Sequence, residues 1–325
     1  MAVAGLVSNL LAAMPAVAAP VTTVRCPAQN LQTAIDNATP GSTLMVTGTC
    51  TGNFTIDKNL TLIGLGATLD GNNSGSVVTI PSGVRVQLTT LTITHGFNPV
   101  GAGVDQGGGI TSLGTLTLTN SRVVSNASNF GAGINNGGTV TLTASTVSGN
   151  TASRFGGGIY NSAGGTVTLA VSTVSGNAGT RGAGIYNSGG TVLLKGSQVR
   201  TNTAAGNGGG IDNAVGTTTL TSSTVNGNTA GGDGGGIRNE NSGTTKLTLS
   251  QVRGNTAPGY GGGIGNSAGG AVSLTDSTVD HNEAGTDGGG IFNDVDASVA
   301  LFRSLVFANT PNNCAPPGAV PGCTS

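Results

Sequence analysis

From Gly107 to Asn309 the chain repeats one pattern of apolar and polar positions eight times. Each copy opens on small residues closed by isoleucine, reading Gly-Gly-Gly-Ile or Gly-Ala-Gly-Ile. The isoleucines are Ile110, Ile134, Ile159, Ile185, Ile211, Ile237, Ile264 and Ile291, spaced 24, 25, 26, 26, 26, 27 and 27 residues apart. A second run follows, Thr-Leu-Thr-Leu-Thr or a relative, with inward pairs such as Leu116 and Leu118, Val140 and Leu142, and Val167 and Leu169. A third reads Ser-x-Val-x-x-Asn. Alternation of period two predicts strands, and a fixed repeat of this length predicts a solenoid whose coils bury their apolar faces against one another. Three short strands per turn, with like residues stacked about 4.8 Å apart, describe a parallel β-helix.

Two asparagine series run through the copies. Asn136, Asn161, Asn187, Asn213, Asn239, Asn266 and Asn293 each lie two residues after an isoleucine; Asn126, Asn150, Asn177, Asn202, Asn228, Asn255, Asn282 and Asn309 close the third run. Asparagine accepts the left-handed conformation of a sharp corner, and its amide hydrogen-bonds to the copies above and below. Recurrence in every coil marks both series as scaffold. The glycine runs are corners by the same logic, since no lysine follows them as a phosphate-binding loop requires.

Ahead of the array the pattern changes. Leu31, Ala34, Ile35 and Ala38 fall on one helical face, predicting a capping helix near residues 27–38 that Thr39-Pro40-Gly41 ends. Such a helix covers the open edge of the first coil. Alternating pairs from Leu44 to Ile93 then predict about two and a half irregular coils, for about ten in all. Residues 1–18 read as a cleaved export signal, with an apolar run from Leu6 to Val17 and Ala16-Val17-Ala18 at its end. Residues 19–309 form the β-helix and 310–325 a tail.

Composition narrows the picture. With 59 glycines but no Gly-X-Y period, collagen is excluded; regularly spaced Val, Ile and Leu argue against disorder. A net charge of −1 gives no reason to expect nucleic acid or an anionic membrane as partner. The expected form is a secreted or surface-located monomer without a membrane span. Four cysteines split between the two ends suggest local bridges, Cys26–Cys50 and Cys314–Cys323, among three possible connectivities.

The stretch Leu-Gln-Thr-Ala-Ile-Asp-Asn-Ala-Thr-Pro-Gly-Ser-Thr-Leu (31–44), followed by Phe-Thr-Ile-Asp-Lys-Asn-Leu-Thr-Leu (54–62), resembles the opening of pectate-lyase-like right-handed β-helix proteins. The Gly-Gly-Gly-Ile-x-Asn and Ser-Thr-Val-Ser-Gly-Asn units resemble repeats of polymorphic outer-membrane-protein-like secreted bacterial proteins. The resemblance implies an all-β, right-handed parallel β-helix. It implies no single activity, because that superfamily holds lyases, glycosidases and adhesins.

Candidate chemistry is sparse. The Asn-x-Asp, Asp-Asp, Gly-His-Gly and Arg-x-Lys set of polygalacturonase-like enzymes is missing. Asp276, Asp280, Glu283, Asp287, Asp294 and Asp296 form the densest acidic stretch, with His281 among them. Arg253 occupies the slot of Asp280 one coil earlier, so the two should be neighbours. In a lyase reading Arg253 is the candidate base, Asp280 and Asp287 are candidate acids, and Asp280, Glu283 and Asp287 are candidate calcium ligands. A calcium roll is excluded, because the slot of Asp233 and Asp287 holds Gln106, Phe130, Phe155, Arg181, Asn207 and Tyr260 elsewhere. Phe130 and Phe155, then Tyr160 and Tyr186, stack in adjacent coils beside the corners. Together with Tyr260 they are candidate sugar-binding rings, although aromatic ladders also stabilise solenoids. Outward threonines such as Thr115, Thr117 and Thr119 form rows that Lys195 and Lys246 interrupt, a face that ice-binding proteins also present.

The leading expectation is a non-enzymatic surface or matrix protein that contacts glycan without a cofactor. The alternative is a lyase or hydrolase acting on an acidic polysaccharide, with calcium only in that case; ice binding stands third. The variable residues beside the corners, Phe130, Phe155, Arg181, Asp233, Tyr260 and Asp287, are where a site is expected.

Overall fold

A computed structural model describes residues 21–98 and 106–323. The export-signal reading of residues 1–18 lies outside them. The chain winds as an all-β, right-handed parallel solenoid of about 11 turns. The extra turn over the expected ten comes from the two ends. Strand β1 (Val21–Arg25) pairs in parallel with Thr43–Thr47, and Cys314–Ala315 pairs in parallel with the Ile291 strand.

Register follows the repeat. Ile134 faces Ile159, Leu116 faces Val140, and Val147 faces Val174 in the coil beyond. Three inward stacks of Ile, Leu or Val, and Val fill the interior, nearly all without exposed surface. Thr218 and Thr245 replace one core valine each, and their hydroxyls donate to Asn213 and Asn239 of the ladder, so no buried hydroxyl is left unpaired there.

Both asparagine series are continuous buried ladders. In the first, each side-chain amide from Asn136 to Asn266 donates to the side-chain oxygen of the next copy at 2.8–2.9 Å. In the second, the same bond runs from Asn126 to Asn309 at 2.9–3.0 Å. The expected conformation is corrected by one residue. The left-handed position precedes the second-ladder asparagine and holds Ser125, Gly149, Gly176, Thr201, Gly227, Gly254, His281 and Ala308. The ladder residue thereby keeps a backbone that turns its side chain inward.

From Phe97 onward the coils also carry a fourth short strand, which alternation did not predict. Strands from Phe97–Asn98 to Glu283–Ala284 stack into a separate eight-stranded parallel sheet. Its signal is only two residues long: Ala204, Ala230, Ala257 and Ala284 turn inward after an exposed Thr or Glu.

The capping helix α1 covers Leu31–Asn37, shorter than the expected 27–38. Asn30 sets its start, accepting from the backbone N–H of Thr33 at 3.0 Å. Leu31 and Ile35 join the core at the first coil. Gln32 clamps the backbone of Thr55 in both directions. Both expected disulfides form, Cys26–Cys50 and Cys314–Cys323. Among the described residues no helix is long and apolar enough to cross a membrane.

Candidate functional site

The parallel register turns two variable slots per coil into two adjacent columns along one corner of the solenoid. The slot before each glycine run holds Phe130, Phe155, Arg181, Asn207, Asp233, Tyr260 and Asp287 in successive coils. The slot after each isoleucine holds Asn135, Tyr160, Tyr186, Asp212, Arg238, Gly265 and Phe292. Six coil steps of about 4.8 Å make this a face about 29 Å long.

Its first half is aromatic. Phe130 meets Phe155 and Tyr160 edge-on, with centroids 5.6 and 5.4 Å apart. Tyr186 stacks on Phe155 at 4.7 Å and lies nearly parallel to Tyr160 at 5.6 Å. Four of the five ring candidates therefore form one cluster, in which the rings turn much of their faces on each other. The Arg181 guanidinium lies over the Tyr186 ring, 5.6 Å from its centroid, and ends the stack.

Arg181 also opens the second half, an ionic network. Its Nε donates to Asp212 Oδ2 at 2.8 Å, and its Nη2 donates to Glu240 two coils away. Arg238 continues the chain, 3.4 Å from Glu240 and 3.8 Å from Asp233. Asp212 has no exposed surface, and its Oδ1 finds no hydrogen-bond partner among the described residues. Burial drives the Asp212 carboxyl up to about 7; Arg181 opposes the shift and Glu240 adds to it. The Tyr186 hydroxyl is pushed up to about 12, first by burial and then by the Asp212 charge. Burial works against the Arg181 charge, but the carboxylates of Asp212 and Glu240 outweigh it and raise its basicity.

Beyond the network, Tyr260 is 39% exposed and tilts against Phe292 with centroids 4.5 Å apart. Gly265 stands in the second column between Arg238 and Phe292; it is buried, with Arg238 Nη1 3.3 Å from where its Cβ would sit. The Tyr260 backbone N–H donates to Asp233 Oδ1 at 2.8 Å, and Tyr260 bridges in parallel to Asp287.

The acidic C-terminal stretch does not converge. Arg253 and Asp280 are neighbours in register, 3.9 Å apart, but Asp280 is buried and also bonded by Gln251. Glu283 lies on the small fourth-strand sheet, and Asp287 beside the glycine corner is bonded by Asn312. Asp276 pairs with Arg303 on another face. Among the described residues no group of three or more His, Cys, Asp or Glu gathers as a cation would require. These acids are neighbours in sequence but occupy different slots of the coil, and register separates them. The threonine rows are present, Thr115, Thr139, Thr166, Thr191, Thr217 and Thr244 stacking in one column.

Asp212, Arg238, Glu240 and Phe292 were not among the expected site residues. The available signal was the slot after each isoleucine, where Tyr160 and Tyr186 had already stood out. Following it one and two copies beyond Tyr186 reaches Asp212 and Arg238.

No family model matches the chain, and no curated protein does. Two solved structures are similar in outline. Pectate lyase Pel9A shows 12% identity with a TM-score of 0.46, over 93% of this chain and 80% of that one. An alginate lyase from Paenibacillus sp. str. FPU-7 shows 16% identity with a TM-score of 0.44, over 92% of this chain and 97% of that one. The class of the protein, a right-handed parallel β-helix, is read from its own strand pairings.

Proposed function

We propose that this is an exported β-helix protein that engages a linear polysaccharide along the aromatic–ionic corner face. One observation carries the reading. In a chain with only 8% charged residues, Arg181, Asp212, Asp233, Arg238 and Glu240 join in one network that continues an aromatic cluster. The repeat is regular in its core stacks and asparagine ladders, and these corner slots depart from it. The long face suits an extended polymer, and Tyr260 offers an exposed ring against which a sugar packs. The disulfides and the apolar leader support export.

Affinity electrophoresis of the purified chain through gels holding different polysaccharides tests the reading. Retardation by at least one polymer is expected, with loss on Tyr260→Ala. Free migration through neutral, acidic and basic polymers alike overturns it.

A second reading, cleavage of the bound chain, is favoured by Asp212. Asp212 holds the Arg181 guanidinium against the Glu240 carboxylate, a cation and a carboxylate side by side as proton transfer to a bound sugar requires. Asp212 itself is sealed, so it acts by positioning Arg181, and Glu240 is the carboxylate nearer solvent. Incubation with polyuronates, with and without calcium, and with neutral polymers tests it. Shortened or unsaturated products that vanish in Glu240→Gln support cleavage; their absence leaves binding alone.

A further inference from the structure

We infer that the polysaccharide engaged by this face carries free amino groups. The inference rests on the binding reading above and specifies its ligand. The charge on the face comes first. The two guanidiniums of the network, Arg181 and Arg238, are bonded or close to three carboxylates, Asp212, Asp233 and Glu240. Both cations are committed, and neither is left to hold a uronate or sulfate.

Further along the same columns, Asp287 adds negative charge, and no Lys or Arg occupies these slots beyond Arg238. An anionic polymer laid on this face meets like charge along the second half of its length.

The exposed ring has matching surroundings. Tyr260 stands in its column between Asp233 and Asp287, one coil to either side. Asp233 Oδ1 is held by the Tyr260 N–H, and Asp287 Oδ1 by the Gly288 N–H and Asn312. These bonds fix both carboxylates beside the ring. A sugar ring stacked on Tyr260 would bring an ammonium substituent within reach of flanking carboxylates and of the ring face itself, an arrangement that favours a cation.

The test uses the full chain and four soluble polymers at mildly acidic pH: a partly deacetylated chitin, its re-acetylated form, a neutral β-glucan and polygalacturonate. The amino polymer is expected to bind roughly tenfold more tightly than its re-acetylated form, with the advantage fading in high salt. Asp233→Asn and Asp287→Asn are expected to remove most of that advantage, weakening binding of the amino polymer several-fold more than binding of its re-acetylated form. Tyr260→Ala, which leaves every carboxylate in place, is expected to weaken both. Binding of polygalacturonate or of the re-acetylated polymer as tight as that of the amino polymer overturns the inference and leaves the binding reading standing. Binding of none of the four overturns both.

Discussion

The Nε of Arg181 lies 2.8 Å from Oδ2 of Asp212, a carboxylate with no exposed surface, while the other oxygen of that carboxylate has no partner among the described residues. One guanidinium thus offsets a buried charge incompletely, and the stability of the solenoid should depend on the protonation of this group.

The sign follows from the shift. Asp212 titrates at about 7 in the folded chain, against 3.8 for the free side chain. Between those values the folded chain holds a proton that the unfolded chain has released, so stability falls as pH rises. The contribution is complete below 3.8 and is lost as pH passes about 7. Its upper bound is about 4 kcal/mol. Urea unfolding at several pH values should show this fall in wild type and a flatter profile in Asp212→Asn. Identical profiles would refute the assignment.

Arg181→Met leaves Asp212 and Glu240 facing each other without their shared cation. Breaking such a buried pair from one side costs roughly 3–5 kcal/mol. The loss should be largest above pH 7 and smaller in acid, where Asp212 takes up a proton. Adding Asp212→Asn should recover part of it, a coupling that a double-mutant cycle measures.

Asn187 donates to Asn213 and to the Gly190 carbonyl, and accepts from Asn161. Asn187→Ala strands these buried groups and should cost about 2–4 kcal/mol in denaturant unfolding. Asn226→Ala, at an outward position of the third strand, should change stability by less than about 0.5 kcal/mol.

Two glycines separate steric need from conformational need. A Cβ on Gly236 would lie 2.6 Å from the Gly263 carbonyl oxygen and 2.9 Å from Asn255 Nδ2. Gly254 is left-handed at φ +58, but nothing lies within 4 Å of where its Cβ would sit. Gly254→Ala should therefore cost about 1 kcal/mol, and Gly236→Ala clearly more, as thermal midpoints would report.

The architecture was legible because each coil states it again. Ile110, Leu116 and Val123 fix the three inward stacks, and seven further copies repeat the instruction. What escaped was local or distant. The left-handed step belongs to Gly149 or His281 rather than to Asn150 or Asn282, because the ladder asparagine must keep its side chain inward. The fourth strand is too short for alternation to register. The ionic network joins Arg181 to Glu240 across 59 residues, and only the register of successive coils brings them together. The same register disperses Asp280, Glu283 and Asp287, which looked like a cluster when read along the chain.

The asparagine ladders carry a direction as well as a bond. In both rows every amide donates toward the C-terminal copy. Successive peptide dipoles along each strand point alternately up and down the axis and largely cancel, but these side-chain dipoles point the same way and add. They put their positive ends toward the C-terminus and so oppose the field of the C-terminal coils, where Arg303 is the only Lys or Arg among Asp276, Asp280, Glu283, Asp287, Asp294 and Asp296.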